Sequence, residues 1–492
     1  MKKILVANRG EIALRIMQTA KKMGISTVAV FSEVDRNAPH VLFADEAVFI
    51  GPAPSSESYL KMDTIIDAAI STGADGIHPG YGFLSENAEF AGKVEKAGIV
   101  FIGPSSYSIE IMGSKLAAKE AVSKYEIPMV PGADGAIENP EEAIAIAKKI
   151  GFPVLIKASA GGGGKGMRIV KEESSLAEQM KRAVSEAQSA FGDGSVFVEK
   201  YIESPRHIEI QILADKHGNT IHLFERECSI QRRHQKVVEE APSTVLTQEK
   251  RKEMGEAAVK VAQSCNYVGA GTVEFLYDEN DKFYFLEMNT RLQVEHPVTE
   301  LITGIDLVEQ QIRVARGEVL SIKQNDLEIN GHAIELRVYA ENPFDNFLPN
   351  IGVLEDYKRP EGNGIRIDDG YEAGMEIPIY YDPMISKLIG YGKDRKSAIE
   401  RLSYAIDNYT INGVVTTLEF GKFVLAHENF INGEIDTHFV DNYFDVSAIL
   451  KAQEKEKEIA AKVALKIYLD KTRKLKISDN KTGKWLNTRL NN

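Results

Sequence analysis

Two glutamates stand opposite each other in a predicted β-hairpin. The runs GTVEFLY at 271–277 and KFYFLEMN at 282–289 both read as strands, and a short polar turn separates them. With a two-residue tip at Asn280-Asp281, the register places Glu274 directly opposite Glu287. Like charges that face each other on a sheet are destabilising, so a positive group between them is expected. The alternative interpretation is a solvated sheet face that binds nothing.

Further polar side chains follow this hairpin at a spacing of two residues. Asn289 lies two residues beyond Glu287 and shares its face. An extended chain would add three more groups to that side: Arg291, Gln293 and Glu295. Two carboxylates and an amide oxygen suit Mg²⁺ held together with nucleotide phosphates, a guanidinium binds anions, and a further carboxylate can act as a base. The order of these groups favours a catalytic site over a solvated face.

A glycine-rich loop, GGGGKG at 161–166, lies between predicted strands at 154–157 and 167–170. Backbone amides approach phosphate oxygens closely only where side chains are absent. Three basic residues bracket the loop: Lys157, Lys165 and Arg168. A Walker A motif does not fit, because Gly166 follows the lysine and a strand rather than a helix comes next. The loop is therefore predicted to fold over phosphates as a lid, with a flexible surface turn as the alternative.

Strand and helix patterns alternate before this loop. Such alternation predicts a parallel, doubly wound sheet. The turn after the first strand lacks G-x-G-x-x-G, so a dinucleotide site is not supported. Beyond residue 203, longer alternating strands predict an antiparallel sheet. The strands before the loop are predicted at 4–7, 27–31, 76–78 and 99–102, and the helices from Glu11, at 59–70 and at 107–125.

The composition describes an ordinary globular enzyme. A chain of 492 residues is too long for a single core, and its net charge of −13 argues against a nucleic-acid-binding surface. Cys228 and Cys265 are far apart, which predicts neither a disulfide framework nor a zinc site and fits a reducing compartment. No signal peptide and no run of about 20 apolar residues is found, so a cytoplasmic location without membrane association is expected.

Eight motifs resemble the ATP-grasp superfamily and, within it, the biotin carboxylases. The match covers about residues 1–444, and its most specific part is RLQVEHPVTE. Ala160 departs from the pattern, because members of the family often have glycine there. The motifs are ANRGEIA (7–13), HPGYGFLSEN (78–87), MGSK (112–115), KASAGGGGKGMR (157–168), EKYIESPRHIEIQ (199–211), ECSIQRRHQKVVEEAP (227–242), EMNTRLQVEHPVTE (287–300) and GHAIELRVYAE (331–341).

This resemblance implies a mixed α/β and α+β fold in several domains. They would be an N-terminal Rossmann-like, pre-ATP-grasp domain with a doubly wound parallel sheet (1–113), a linker helix (114–130), an ATP-grasp lid (131–202), an antiparallel ATP-grasp core (203–330), a C-terminal biotin carboxylase domain (331–444) and a charged helical tail (445–492). The tail has an amphipathic run at 459–469, which fits either a solvated helix or a helix that docks on a partner protein.

The resemblance also implies roles for individual residues. The ATP site would comprise Lys115, Lys157, Gly162, Gly163, Gly164, Gly166, Met167, Glu199, Lys200, Ile202, His207, Gln231 and His234. Two Mg²⁺ ions, with Mn²⁺ as a substitute, would be held by Glu274, Glu287 and Asn289. Bicarbonate would contact Arg291, Gln293, Val294 and Lys236, and biotin would contact Tyr81 and Arg337. Glu295 would deprotonate bicarbonate, with Arg291, Arg337 and Lys236 completing the catalytic set. Arg291 is expected to keep the pKa of Glu295 low.

The implied reaction uses ATP to activate bicarbonate as carboxyphosphate and places the carboxyl group on biotin. No A-M-K-M-like biotin attachment turn is found, so the expected partners are a separate biotin carboxyl carrier protein and a carboxyltransferase subunit, with the chain itself a homodimer. An acetyl-CoA or propionyl-CoA carboxylase is the favoured complex, and a two-subunit pyruvate carboxylase is the alternative. Carbamoyl phosphate synthesis is disfavoured because no internal duplication is found. A non-catalytic nucleotide-binding scaffold is disfavoured by the intact set of charged residues.

Overall fold

The computed structural model describes residues 1–489 apart from 134, 136, 138, 159–166 and 193. The glycine-rich loop, with Gly162, Gly163, Gly164 and Gly166, lies outside the described residues, and so does Ala160.

Short apolar runs form a parallel sheet at the N-terminus. Its strands are β1 Lys3–Val6, β2 Ser26–Ser32, β3 Glu46–Gly51, β4 Gly76–His78 and β5 Val100–Phe101, all parallel in the order β3-β2-β1-β4-β5. The accompanying helices are α1 Gly10–Lys22, α2 Pro39–Phe43, α3 Met62–Thr72 and α4 Ala88–Lys96. Ile4, Leu5 and Val6 are all buried, as expected for a strand covered on both faces. The predicted doubly wound parallel sheet is confirmed.

The predicted helix at 107–125 is in fact two helices, α5 Ser106–Gly113 and α6 Lys115–Ser123. Ser114 lies between them in an extended conformation, and its hydroxyl accepts a hydrogen bond from the amide of Ala117. Such a serine starts a new helix because its oxygen satisfies an amide that the first turn leaves unpaired. The prediction of one helix was wrong, and the break places a lysine, Lys115, in the first turn of α6.

A small three-stranded sheet follows. Its elements are α7 Pro140–Ile150, β6 Val154–Ala158, β7 Met167–Val170, α8 Glu173–Phe191 and β8 Val196–Lys200. The strands are antiparallel in the order β7-β6-β8. Buried residues of β6 and β8, among them Ile156 and Val198, pack with α7 and α8 in one apolar cluster.

An eight-stranded antiparallel sheet forms the centre of the molecule. The first elements are β9 Arg206–Ala214, β10 Thr220–Arg232, β11 Gln235–Ala241, α9 Gln248–Ser264, β12 Gly269–Tyr277, β13 Phe283–Asn289, α10 His296–Thr303 and α11 Leu307–Ala315. The order is β13-β12-β9-β10-β11-β14-β19-β18, so the sheet continues into strands from beyond residue 331. Those later strands are β14 His332–Tyr339, β18 Ile365–Asp369 and β19 Met384–Gly392.

The remaining elements up to residue 443 are short strands and helices. Two short ribbons pair β15 Glu341–Asn342 with β16 Leu348–Pro349, and β17 Asp356–Lys358 with β20 Thr410–Asn412. The helices are α12 Arg395–Asp407, α13 Leu418–Ala426, α14 Glu428–Asn432 and α15 Phe439–Tyr443. Cys228 and Cys265 are buried free cysteines.

The β12–β13 hairpin pairs Glu274 with Glu287, as predicted, but its turn differs from the predicted one and β13 contains a bulge. Near the turn Tyr277 pairs with Phe283, so the tip differs by one residue from the predicted two-residue tip. One residue of β13, Leu286, is then left without a partner at a β-bulge. The shift at the bulge cancels the shift at the tip, and the two glutamates face each other.

The chain divides into two units, residues 1–440 and residues 441–492. The second consists mainly of one helix, α16 Val446–Arg489. Its apolar side chains in the predicted amphipathic run are exposed: Ile459, Val463, Leu465, Ile467, Tyr468 and Leu469. The predicted helix is confirmed, and its docking role stays a prediction. Among the described residues, no helix combines the length and the apolar composition that crossing a bilayer requires.

Candidate active site

Lys236 lies among three carboxylates. Its Nζ donates to Glu274 Oε1 and Glu295 Oε1, each at 2.8 Å, and it also pairs with Glu209. Burial alone would lower the pKa of Lys236, but these three acids raise it well above its ordinary value. The strand β11 places Lys236 here after a two-residue turn, and Gln231 of β10 pairs with it in the ladder. A charged ammonium therefore occupies the centre of the sheet.

The carboxylate of Glu274 contacts nitrogen groups from several elements. Its Oε1 accepts hydrogen bonds from Lys236 at 2.8 Å and from the amides of Asn289 and Gln293 at 2.9 Å each. Nε2 of His207 lies 3.1 Å from Oε2. Burial opposes ionisation, but Lys236 and then His207 hold the pKa of Glu274 well below its usual range. The carboxylate is therefore ionised, and the predicted positive groups are present beside it.

Glu287 completes the pair and makes the site suitable for a divalent cation. Loss of water around the carboxylate, and then the charge of Glu274, raise the pKa of Glu287. A raised pKa caused by a like charge means that the two acids repel each other, and a metal ion would relieve this. Carboxylate oxygens, together with the side-chain oxygen of Asn289, form the all-oxygen ligand set that Mg²⁺ prefers. Glu274, Glu287 and Asn289 thus fit the metal site predicted from the sequence.

The chain after β13 turns instead of continuing as a strand. Glu295 is the residue that precedes α10, and Pro297 lies in the first turn of that helix, where proline is favoured. The extended segment predicted for 291–295 is therefore wrong. Gln293 and Glu295 nevertheless reach the same cluster, because the turn directs both side chains towards Lys236 and Glu274.

Glu295 is held between two cations. Its Oε1 accepts from Lys236 at 2.8 Å, and its Oε2 accepts from Nη2 of Arg337 at 2.9 Å. Burial opposes ionisation of this carboxylate, but Lys236, Arg337 and Arg226 hold its pKa well below the usual range. Arg291, which was expected to have this effect, also interacts with the charge of Glu295, but Lys236 is the strongest positive influence.

The two arginines of the site have different partners. Arg291 donates from Nε to Glu86 Oε2 at 2.8 Å and from Nη2 to Asn289 Oδ1 at 3.0 Å. Arg337, on β14, donates from Nε to Glu239 Oε1 at 2.6 Å. Burial raises the pKa of Glu239 to about 7, and Arg337 acts in the opposite direction. Each guanidinium therefore already has an acid partner, which is Glu86 for Arg291 and both Glu239 and Glu295 for Arg337.

Two residues of the network were missed in the sequence. Glu209 follows His207 by two positions on β9, so strand alternation alone places both on one face. Arg226 is fully buried. Its guanidinium pairs with Glu209 and donates to Gln293 Oε1 at 2.7 Å. The other acceptors of Arg226 are Gln211 at 2.6 Å and Thr272 and Thr299 at 3.0 Å each. With this many acceptors, a guanidinium can stay charged inside the sheet.

A second basic cluster lies beside the small sheet. Glu199, on β8, pairs with Lys157 and with Lys119. Burial opposes ionisation of Glu199, but these two lysines lower its pKa. Burial, and then the charge of Lys157, lower the pKa of Lys115. The amide of Lys200 donates to the carbonyl of Pro131 at 2.7 Å.

The other predicted site residues lie on several different elements. The side-chain amide of Gln231 donates to the carbonyl of Cys228 at 2.8 Å. His234 is exposed at the β10–β11 turn. Tyr81 is half-buried against an apolar cluster that includes Leu292. Three further residues were named: Ile202 follows β8, Met167 begins β7 and is exposed, and the carbonyl of Val294 accepts from Lys387 at 3.0 Å.

Three family models match consecutive parts of the chain. Residues 1–109 match the biotin carboxylase N-terminal domain, residues 114–323 the ATP-binding domain of the carbamoyl-phosphate synthase L chain, and residues 335–442 the biotin carboxylase C-terminal domain. An ATP-binding domain with this carboxylate cluster defines an ATP-dependent ligase.

The similar proteins are components of carboxylases. The A subunit of pyruvate carboxylase from Methanothermobacter thermautotrophicus is 55% identical over 441 residues, which is 90% of each chain. Biotin carboxylase 1 of Bacillus subtilis is 53% identical over 90% of this chain and 99% of its own length. The human mitochondrial propionyl-CoA carboxylase alpha chain is 55% identical, and the alignment spans only 61% of its length.

Solved structures agree with these relatives. The biotin carboxylase domain dimer of 2-oxoglutarate carboxylase from Hydrogenobacter thermophilus, in complex with MgADP, ADP and bicarbonate, has a TM-score of 0.85 at 49% identity over 90% of this chain and 98% of its own. A biotin carboxylase complex from Campylobacter jejuni has a TM-score of 0.86 at 47% identity, over 90% of this chain and 99% of its own. The chain belongs to the biotin carboxylase family.

Proposed function

We propose that this chain uses ATP to activate bicarbonate and transfers the carboxyl group to biotin that is attached to a separate carrier protein. The observation that carries this proposal is the contact of one ammonium, Lys236, with both Glu274 and Glu295. It joins a candidate metal ligand to a candidate base. MgADP and bicarbonate, the ligands bound in the related structure from Hydrogenobacter thermophilus, have the charges that this mixed cluster would bind.

Glu295 is the proposed base. In the free protein two cations hold its pKa well below the usual range, so it is ionised at neutral pH and ready to accept a proton. A carboxylate stabilised so strongly is a weak base. An anion that takes Lys236 as its own partner would weaken the contact to Glu295 and raise the basicity of Glu295. Binding of bicarbonate would thereby activate the group that deprotonates it.

The lysines and the two arginines would supply positive charge. Phosphoryl transfer needs positioning and charge neutralisation more than covalent catalysis, and Lys115 and Lys157 are the cations proposed for the ATP phosphates. Bound Mg²⁺ would neutralise further phosphate charge at Glu274 and Glu287. The planar fork of Arg291 matches a carbonate oxyanion. Its hydrogen bond to Asn289 keeps the guanidinium beside the proposed metal ligands.

Biotin would react at the other edge of the cluster. Arg337 contacts Glu295 and lies on β14, the strand beyond β11 in the sheet. There it would stabilise the enolate that forms when the phosphate released from carboxyphosphate takes the ring N–H proton of biotin, and Tyr81 would lie beside the ring. The ring nitrogen would then bond to the carbon dioxide released with that phosphate. The remaining proposed ATP contacts are Gly162, Gly163, Gly164, Gly166, Met167, Glu199, Lys200, Ile202, His207, Gln231 and His234, and those to bicarbonate include Gln293 and Val294.

The chain would work within a larger complex. The proposed partners are a biotin carboxyl carrier protein and a carboxyltransferase subunit, and a homodimer is the proposed state of the chain, as in the dimeric domain from Hydrogenobacter thermophilus. An acyl-CoA carboxylase is the proposed complex, supported by the propionyl-CoA carboxylase relatives. A two-subunit pyruvate carboxylase is the second candidate, since the pyruvate carboxylase component from Methanothermobacter thermautotrophicus matches over 90% of each chain.

The test is ATP cleavage that depends on both bicarbonate and biotin. Purified chain would be assayed for ADP release with MgATP, with bicarbonate and free biotin added or omitted in turn. Release that requires both supports the proposal. ADP release that is indifferent to bicarbonate would overturn it. Adding candidate carboxyltransferase and carrier chains with acetyl-CoA, propionyl-CoA or pyruvate would then identify the final acceptor.

A further inference from the structure

A fully buried lysine supports the turn that carries Glu295. Lys387, on β19, is 0% exposed, and its Nζ donates to the carbonyl oxygen of Val294 at 3.0 Å. Val294 lies between Gln293 and Glu295, whose side chains enter the carboxylate cluster. A charge-assisted hydrogen bond to this carbonyl fixes the peptide that joins Val294 to Glu295. The orientation of Glu295 therefore depends on a side chain that lies behind the site.

The charge of Lys387 is balanced by two acids. Its Nζ lies 3.3 Å from Glu11 Oε2 and 3.5 Å from Asp368 Oδ2. Both Asp368 oxygens also accept hydrogen bonds from Arg366, at 2.8 and 2.9 Å. Burial lowers the pKa of Lys387, but Glu11 and then Asp368 raise it, with a net rise. The ammonium therefore stays charged inside the protein, with acids on one side and the Val294 carbonyl on the other.

Lys387 also lies where three parts of the chain meet. Glu11 belongs to the segment that matches the N-terminal family model, Val294 to the ATP-binding segment, and Lys387 to the C-terminal segment. The backbone around α1 approaches closely there: a Cβ on Gly370 would lie 2.6 Å from the amide nitrogen of Glu11. The cation thus joins segments that are distant in sequence to the turn of the candidate site.

We propose that Lys387 is a positioning residue that holds the Val294–Glu295 peptide in its reactive orientation. The inference rests on the proposed function, because it takes Glu295 as the base and the turn as part of the bicarbonate site. Misplacement of a reacting group by about 1 Å can cost about 10²-fold in rate. Loss of this hydrogen bond therefore acts on bicarbonate, whose contacts lie on the turn, more than on ATP.

The test is Lys387→Met, which keeps the length of the side chain and removes the charge. The kcat/KM for bicarbonate is expected to fall at least tenfold, while the KM for ATP stays within twofold. Hydrogen exchange of the amides at 292–296 is expected to speed up in the ligand-free protein. Asp368 keeps Arg366 in this variant, but buried Glu11 loses its nearest cation, so Lys387→Met with Glu11→Gln serves where the single variant fails to fold. Glu11→Gln alone keeps the Lys387–Val294 bond and is expected to keep the KM for bicarbonate within twofold.

Arg251→Met is the matched control for general destabilisation. Arg251 bonds Glu225, another buried acid, and contacts none of the candidate site residues among the described hydrogen bonds. It should lower the unfolding temperature without changing the KM for bicarbonate. A folded Lys387 variant with a wild-type kcat/KM for bicarbonate, or with equal losses for both substrates, overturns the positioning role. Failure of the wild-type chain to cleave ATP in response to bicarbonate would instead overturn the proposed function.

Discussion

Lys236 offers the sharpest test of the electrostatic argument. Lys236→Met removes the ammonium that three buried carboxylates share and leaves a side chain of similar length. Removing one partner of a buried ion pair costs about 3–5 kcal/mol. Each acid keeps another nitrogen partner: Arg226 at Glu209, His207 at Glu274 and Arg337 at Glu295. The free energy of unfolding is therefore expected to fall by the amount for one pair, about 3–5 kcal/mol at pH 8, rather than three times that amount.

The loss should depend on pH. In the wild-type chain the pKa values of Glu274 and Glu295 lie well below their usual range, so their stabilising effect is complete above the unfolded pKa of about 4.3 and is lost as the pH falls through the folded values. Without Lys236 the folded pKa values rise, and each unit costs about 1.4 kcal/mol where the acid is ionised. The free energy of unfolding of the variant should therefore be lower than that of wild type by a larger amount at pH 8 than at pH 5.

Urea denaturation followed by circular dichroism at pH 5 and pH 8 measures both effects. Lys252→Met, at an exposed position on α9, is the control and should match wild type at both values. Added MgCl₂ should stabilise Lys236→Met more than wild type, because a divalent cation can replace the lost charge. A deficit below about 1 kcal/mol at pH 8, or an equal deficit at both pH values, would refute the reasoning.

Three further outcomes are expected. Glu295→Gln should reduce bicarbonate-dependent ATP cleavage by at least about 10²-fold while nucleotide affinity, measured by calorimetry, stays within twofold; wild-type turnover would contradict its role as base. Burial lowers the pKa of His207 but Glu274 raises it, with a net rise, so the pair stabilises the fold fully below the unfolded pKa of about 6.5 and less as the pH rises through the folded value. His207→Gln should accordingly lower the unfolding temperature more at pH 6 than at pH 9. An equal decrease at both pH values would contradict a stabilising His207–Glu274 ion pair. Ser114→Ala should cost about 1 kcal/mol in unfolding free energy, with Ser114→Gly costing only a few tenths; equal losses would exclude the capping role.

The hairpin shows how far sequence patterns lead. Alternation and charge were enough to place Glu274 opposite Glu287, and the structure confirms the pair. The prediction succeeded although its turn was wrong, because the unpaired Leu286 restored the register. A bulge has no clear signal in a single sequence, since it depends on how the strand bends against its neighbours. The pairing of two residues across a hairpin can thus be predicted correctly while the turn and the bulge between them are not.

Contacts between distant strands were harder to predict. The motif containing His207 was recognised, yet Glu209 was passed over, although a two-residue period would have placed it on the same face. The partner that keeps Glu295 ionised was taken to be the adjacent Arg291, whereas Lys236 and Arg337 come from other strands of the sheet. Proximity in sequence was a poor guide because the order of strands, rather than the order of residues, decides which charges meet.

The ammonium of Lys236 has a consequence for how the chain matures. Since the polypeptide supplies its own counter-ion, the crowded acids can assemble before any nucleotide or metal arrives, and synthesis of the folded protein does not have to wait for its ligands. The same arrangement means that every incoming ligand competes with an internal one, so the measured affinity is the difference between two sets of contacts. Stronger internal ion pairs in the ligand-free site would therefore lower its affinity for ligands.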